Sequence, residues 1–490
     1  MSEKVFETYK YLGLLLGVSF FIFLIKIGAS MHGYPYILNV DEPAVVRSSL
    51  GLRFDFWINH FDWPHLNYYL NYAFYFVFIK FRGALQQLGA RAYLEPYAPI
   101  IWNDPFVFYF LSRILNSFMV MISVLPLYLY IIELFEDRAN RYTAALFGGL
   151  SLLLFNIVLG NSLLALQDPP ILLLSTLILY FSIRIFADPN KRSNFIWFGV
   201  YVGLATALKY NLGLFGLLIF SSFFSKVEYN PLKIISKIFT AAVFSIIVFL
   251  ICNISIFKYW DVFWSYEVGK GFLWQITSNV DPLTGVSYLL NIFKQTKNLI
   301  LNNLPVSLFM LAGFIAYCID CFRDTKYLKI KSFYLAFFIL MFLFTSRYGR
   351  AGNHYFIPLY PFFALLAGYS TKIFVRERKN LLTWVVLCFV LSVIKLVPYF
   401  MPDNFTESVK YVQKIKGTEN VYTLGDDLDA FNMINNFGFK KAKNDSKIEE
   451  QSIIITEVSL DNRPEYVLGK IFDYTQSRGR KVYVYFYRPR

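Results

Sequence analysis

Long apolar runs recur along most of this 490-residue chain. Most of them approach the ~20 residues that a helix needs to cross ~30 Å of hydrocarbon. Composition agrees: 56% of residues are hydrophobic and 16% are charged, against roughly 25% charged in an average soluble domain. Mean hydropathy is +0.45. A disordered chain, a collagen-like chain and an ordinary soluble enzyme are excluded. Four cysteines exclude a disulfide scaffold. Cys318 and Cys321 form a CxxC, but no second cysteine pair or nearby histidine completes a zinc site, so they read as ordinary interfacial residues.

We place about eleven spans, near 9–28, 106–133, 142–160, 169–187, 194–208, 211–225, 234–257, 300–320, 332–346, 353–372 and 381–400. The net charge of +14 sits in this part, because the last 88 or so residues are nearly neutral. With the N-terminus inside, the inner loops EDRANR, ADPNKRS, 226–237, RDTKYLKIK and TKIFVRERK carry about fifteen Lys and Arg. That asymmetry predicts a cytoplasmic N-terminus and an extracytoplasmic C-terminus. The first span lacks a small-residue cleavage site and reads as an anchor.

Two long outer loops are predicted, 29–105 and 259–300, and loops of that length are usually functional. Within the first, PHLNYYLNYAFYFVFIKFRGAL reads as an amphipathic interfacial helix, a twelfth span being the alternative. Composition changes after Pro402. The runs VYTL, SIIITEV and KVYVYFY predict a small outer α/β domain over 403–490, following a membrane module over 1–402. The fold class is therefore an α-helical polytopic membrane protein with a small C-terminal α/β domain.

The candidate chemical residues cluster on the predicted outer side. Asp41-Glu42 follows the first span, and adjacent acids point in different directions, which suits one to act as a base and the other to fix geometry. Asp168 stands alone between apolar spans and, with Pro169, also suits a helix start. Arg113 lies inside the second span, where a guanidinium needs a carboxylate or a phosphate. Lys209 interrupts GLATALKYNLGLFG at a span end. Arg347, Arg350 and His354 lie together in SRYGRAGNHYFIPLYP, against the positive-inside trend, which favours a phosphate site. His60 and His65, with Asp62 and the Asp41-Glu42 pair, are candidate ligands of a divalent metal such as zinc or manganese, the plain alternative being structural loop residues.

These motifs resemble the GT-C membrane glycosyltransferases, specifically the family of protein O-mannosyltransferases and lipid A aminoarabinose transferases. The resemblance covers most of residues 9 to about 375. It rests on Asp41-Glu42 in NVDEPAVVRSSL, on Trp63-Pro64-His65-Leu66 in an order that departs from the family's, and on Arg113. It rests further on Asp168-Pro169, on GLATALKY ending at Lys209, and on the run from Arg350 to Pro361. It implies transfer of a sugar from a polyprenyl-phosphate carrier to a glycan, lipid or protein on the extracytoplasmic face, with inversion at the anomeric carbon. Asp41 would then be the general base, Glu42 and Asp168 would position groups, and Arg113, Lys209, Arg347, Arg350 and His354 would bind the donor phosphate. No nucleotide-sugar site and no nucleic acid are implied, and a divalent metal stays open.

A transporter or lipid flippase is the alternative of a different class. Its usual paired halves are missing here, and the charged candidates gather at one face. An oligosaccharide ligase or oligosaccharyltransferase is the nearer alternative, sharing the lipid-carrier logic. Low cysteine and no retention signal point to a bacterial or archaeal plasma membrane. The sequon-like Asn404-Phe405-Thr406 falls on the predicted outer side.

Overall fold

A computed structural model describes residues 3–32, 41–87, 106–135, 140–225, 227, 230–277, 282–323, 328–348, 352–374, 379–401, 404–415, 420–424, 440–442, 452–456, 460, 466–472 and 482–487. Its N-terminal four-fifths is helical. In chain order the main helices are α1 (Glu3–Ala29), α2 (Glu42–Gly51), α3 (Leu66–Gln87), α4 (Phe106–Leu134), α5 (Arg141–Leu154), α6 (Asn156–Asn161) and α7 (Asp168–Ala187). They continue as α8 (Arg192–Thr206), α9 (Pro231–Cys252), α10 (Gly285–Leu301), α11 (Val306–Arg323), α12 (Leu328–Ser346), α13 (Tyr360–Tyr369), α14 (Lys379–Leu396) and α15 (Asn404–Ile415). Two 3₁₀ segments, Tyr210–Phe224 and Asn353–Leu359, complete the bundle.

The protein is an integral membrane protein. Among the described residues, five helices are long and apolar enough to cross a membrane: Tyr9–Ala29, Val107–Leu134, Asp168–Ala187, Pro231–Cys252 and Leu328–Ser346. The pair Gly285–Leu301 and Val306–Phe322 adds a sixth if its bent halves count together. Of the remaining expected spans, 194–208 and 381–400 correspond to the helices α8 and α14, and the other three are irregular. The run expected at 142–160 breaks at Phe155, whose extended backbone separates α5 from α6. The run expected at 211–225 is wound as a 3₁₀ helix. The segment expected at 353–372 divides at Pro358 and Pro361, because proline removes a donor and clashes with the preceding turn.

Local sequence explains where helices begin. Asn230 accepts from the backbone N–H groups of Leu232 and Lys233 at 2.9 and 3.4 Å, and Pro231 supplies the first turn of α9. Asp168 opens α7 with two prolines behind it. Burial then separates helix faces. Tyr11, Leu15, Ser19, Ile22 and Ala29 form the buried stripe of α1, while Phe20, Phe21 and Leu24 stay exposed. In a bilayer such outward apolar side chains meet lipid, so they need no protein partner. Helix α9 carries the same logic furthest, exposing Leu232, Ile235, Phe239, Ile246 and Ile251.

Small residues let the helices approach. A Cβ on Gly199 of α8 would fall 2.2 Å from the Ala241 carbonyl oxygen of α9, and one on Gly313 of α11 would fall 1.6 Å from that of Leu366 in α13. Lipid offers little hydrophobic driving force between helices, so close backbone contact and van der Waals packing hold such pairs.

The two stretches expected as long loops carry helices. The stretch PHLNYYLNYAFYFVFIKFRGAL, expected as an interfacial helix or a twelfth span, forms the helix α3, packed on α2 and α4. The stretch 259–300 contains most of α10. After α15 comes a five-stranded sheet of β1 (Val421–Leu424), β2 (Lys440–Ala442), β3 (Ile453–Thr456), β4 (Tyr466–Phe472) and β5 (Val482–Tyr487), in the order β2-β1-β3-β5-β4. Strand β1 runs parallel to β2 and β3, whereas β5 runs antiparallel to β3 and β4. Tyr422, Ile454, Leu460, Tyr466 and Tyr485 form its core. Asn404 of the sequon-like triplet is buried at the start of α15.

Candidate active site

The site assembles at one end of the bundle. The chain reaches that end after α1, before α4, before α7, after α8 and after α12.

Glu42 is the hub of its buried layer. Pro43 sets the first turn of α2, and the Glu42 side chain beside it is fully buried. Arg113, one to two turns into α4, meets it in a two-pronged pair: Nε donates to Oε1 at 2.7 Å and Nη2 to Oε2 at 2.8 Å. Nη1 of Arg113 donates to the carbonyls of Ser30 and His32 at 2.9 Å each. The Ala165 N–H donates to Glu42 Oε1 at 2.7 Å. One carboxylate thus ties the end of α1, the start of α2, α4 and the turn before α7. Such parallel charge-assisted bonds are strong and directional. The sequence suggested Arg113 as a donor-phosphate ligand. Four of its N–H groups are turned onto Glu42 and backbone carbonyls, as suits a guanidinium this deep beside a carboxylate.

The turn 161–168 is fastened to α4 as well. Asn116 Nδ2 donates to the carbonyls of Leu164 and Leu166 at 2.6 and 2.9 Å, and Ser117 Oγ to that of Ser162 at 2.8 Å. Asn161 Nδ2 then donates to Asp168 Oδ2 at 2.5 Å. Asn161 and Asn116 escaped the sequence reading, since a single asparagine in an apolar run carries no distinguishing pattern.

Asp41 diverges from its neighbour. It takes the N-cap position of α2 without capping the helix through its side chain, and it is exposed where Glu42 is buried. Partial enclosure raises its carboxyl above the usual carboxylate value. The nearby His354 pulls the value down, and the like charge of Asp168 pushes it up. These couplings place Asp41 within electrostatic reach of both side chains.

Lys209 closes the group. It sits in an extended link between α8 and the 3₁₀ segment Tyr210–Phe224. Enclosure lowers its ammonium pKa, and Asp168 opposes that shift. Its Nζ lies over the Tyr355 ring, 4.3 Å from the centroid, and the His354 ring stands 4.4 Å from the same tyrosine. The Asn353–Leu359 turn that carries His354 packs on α7. Asp41, Asp168, Lys209 and His354 therefore form one polar cluster, with Tyr355 between Lys209 and His354. Arg347 is exposed at the end of α12. Arg350 lies outside the described residues.

His60 and His65 are brought together, with ring centroids 6.2 Å apart, but toward protein partners. His65 Nε2 bonds the His60 carbonyl at 2.7 Å, and His60 Nδ1 bonds Asp62 at 2.8 Å. Nε2 of His65, bonded to a backbone carbonyl, has no lone pair to offer a cation, whereas Nδ1 of the same ring keeps one. Among the described residues no three His, Cys, Asp or Glu gather in a metal-binding group. This loop instead braces the Lys209 link. Leu66 N–H donates to the Ala207 carbonyl at 3.1 Å, and Tyr210 Oη to that of Phe61 at 2.8 Å.

Known proteins resemble this chain in sequence over one stretch and in fold over most of its length. Residues 109–256 match the model of the dolichyl-phosphate-mannose-protein mannosyltransferase family. That stretch contains Arg113, Asp168 and Lys209. The structure is similar to ArnT from Cupriavidus metallidurans, crystallised with undecaprenyl phosphate, at 12% identity over 98% of each chain with a TM-score of 0.51. The apo state of that protein gives 12% identity over 97% of this chain and 98% of that one, with a TM-score of 0.49. The oligosaccharyltransferase AglB from Archaeoglobus fulgidus, in complex with an inhibitory peptide and a dolichol-phosphate, gives 13% identity over 87% of this chain and 63% of that one, with a TM-score of 0.45. No curated protein sequence matches the chain. The chain thus has the GT-C fold of membrane glycosyltransferases that its motifs resemble.

Proposed function

We propose that this protein transfers a sugar from a polyprenyl-phosphate carrier to a hydroxyl acceptor, with inversion at the anomeric carbon. The observation that carries the reading is the cluster of exposed Asp41 with Asp168, Lys209 and His354 at one end of a GT-C bundle. The undecaprenyl phosphate in the ArnT crystal structure supports a carrier of that class.

In this reading Asp41 takes the proton of the acceptor hydroxyl as its oxygen attacks the anomeric carbon. General-base help of this kind contributes about 10²–10⁴-fold. The carbon–oxygen bond to the carrier breaks, and polyprenyl phosphate leaves with the electron pair. That leaving group needs its growing charge balanced more than it needs a proton. Lys209 supplies the balancing charge, joined by Arg347 and Arg350, while His354 offers a hydrogen bond. Asp168 holds Lys209 in place, and Glu42 with Arg113 holds the base-bearing end of α2. We place the site on the extracytoplasmic face of a bacterial or archaeal plasma membrane, following the Lys and Arg of the opposite loops. The glycan, lipid or protein nature of the acceptor is a choice for experiment.

The test is turnover by the purified chain in nanodiscs with a panel of polyprenyl-phosphate sugars and acceptors. Mass spectrometry reads free polyprenyl phosphate. Release that disappears in Asp41→Asn supports the proposal. Equal release in Asp41→Asn sinks the assigned base, and absence of release with every donor and acceptor sinks the transferase.

A further inference from the structure

Helix α10 has an apolar face that no protein covers. Val286, Leu289, Leu290 and Phe293 recur at helical spacing and are 72, 64, 64 and 70% exposed. Their stripe runs along one side. The opposite side carries Asn291, Gln295 and Leu299, all buried. The helix makes an angle of 114° with Val306–Phe322, so it lies nearer perpendicular than collinear to that apolar helix. It is also too polar for the middle of a bilayer: Asn291, Lys294, Gln295, Lys297 and Asn298 fall within its 17 residues.

Its buried side is fastened to the site end of α12. Asn291 Nδ2 donates to the Ser346 carbonyl at 2.7 Å, and Tyr288 Oη to that of Leu343 at 2.9 Å. Just before the helix, the Leu283 N–H donates to the Arg347 carbonyl at 2.8 Å, and Pro282 bridges to Tyr348. The backbone that is bonded here continues toward His354.

We propose that α10 lies in the plane of the bilayer surface on the site side, with its four apolar side chains in the acyl boundary. The occupant of the exposed face is the lipid leaflet itself. Exposed apolar side chains follow one another along the chain from the stripe into the adjoining α11, through Leu301 and Leu304 to Leu308, Leu311 and Ile315. Lys294 on the flank of the stripe extends to the headgroups, and Lys297 on the stripe itself reaches them by its long apolar stem, as such side chains do at interfaces. Because α10 and Leu283 just before it share hydrogen bonds with Ser346 and Arg347, and α10 packs on the Asn353–Leu359 turn, the helix sets the depth of Arg347 and of that turn. Both then stand at headgroup level, where the phosphate of a lipid-linked donor resides. This last consequence rests on the transferase reading, whereas the placement of α10 does not.

The depth of α10 is measurable without turnover. Single cysteines at Val286, Leu289, Leu290 and Phe293, in a full-length chain with its four native cysteines replaced, would carry nitroxide labels in nanodiscs. Accessibility to oxygen and to an aqueous nickel chelate gives each label's depth. The expected result is one shared shallow depth, about 5–10 Å below the headgroups, with an Arg347→Cys label close to the same level. Depth that increases steadily along the helix would overturn the proposal in favour of a re-entrant segment. Free access of nickel to all four labels would overturn it in favour of a water-facing helix. Phe293→Trp in the native-cysteine chain gives an independent reading. Its added fluorescence should be quenched more by lipids brominated near the headgroup than by lipids brominated near the tail end, and the reverse order would count against the proposal.

Discussion

Arg113 and Glu42 meet two bonds to two, at 2.7 and 2.8 Å, with both side chains buried. This pair joins the second helix of the site to the loop region that carries Asp41. Removing one partner of a buried pair leaves an unpaired charge and costs about 3–5 kcal/mol. Glu42→Leu and Arg113→Leu should each lower thermal stability in detergent strongly. The double variant should lose clearly less than the sum of the two. Additive losses would mean that the pair carries no coupling. Arg113→Lys should not rescue, because an ammonium lacks the planar fork.

Asp41→Asn keeps the side chain's shape and removes its basicity. Turnover should fall by about 10²–10⁴-fold, with donor binding and thermal stability nearly unchanged. A fall in donor binding of similar size would assign Asp41 to binding and not to proton transfer.

The rate should depend on pH through the same carboxyl. Its folded pKa is raised by enclosure and by Asp168. The base is active when deprotonated, so the rate should fall as pH drops through that raised value, above the range of an ordinary aspartate. Asp168→Asn removes a like charge, and the acid limb of its residual activity should move to lower pH. A limb that stays put or moves upward would separate the two carboxyls.

Lys209→Met should raise the KM for the lipid-linked donor by roughly ten- to a hundredfold, the worth of a charge-assisted hydrogen bond. Tyr355→Leu removes the ring beneath Lys209 Nζ and should have a smaller effect in the same direction. An unchanged KM in Lys209→Met would move the phosphate site elsewhere.

Gly313→Ala tests the packing independently of catalysis. The new Cβ would sit 1.6 Å from the Leu366 carbonyl oxygen, so α11 and α13 must move apart. Overpacking of this kind costs about 1–3 kcal/mol. The measurement is the unfolding midpoint in detergent, beside Gly13→Ala, where a Cβ meets nothing within 4 Å.

Much of the helical layout was legible because lipid imposes a simple rule: apolar runs of near-constant length. The helices at Asp168–Ala187 and Leu328–Ser346 fall almost where the runs do. The breaks were less legible. The α5–α6 break falls within what read as one span, because Phe155 and Asn156 belong to an otherwise apolar run. Strands β1, β3 and β5 lie on the β-branched and aromatic runs, whereas β2 and β4 do not stand out, since KKA and YVLGKIF carry mixed signals. The 3₁₀ winding of Tyr210–Phe224 has no mark in its apolar sequence.

The sequence by itself determined that this chain enters a membrane as helices, and it marked the rare ionisable residues in apolar surroundings. Both follow from the cost of placing polar groups in hydrocarbon, which is local and additive enough to read from neighbours in the chain. Only the tertiary structure decided how those residues divide the work. Asp41 and Glu42 are adjacent in sequence, yet one is exposed beside His354 and Asp168 while the other is buried on Arg113, 71 positions away. Partner choice between distant charges depends on which helix ends meet, and that is settled by packing across the whole bundle.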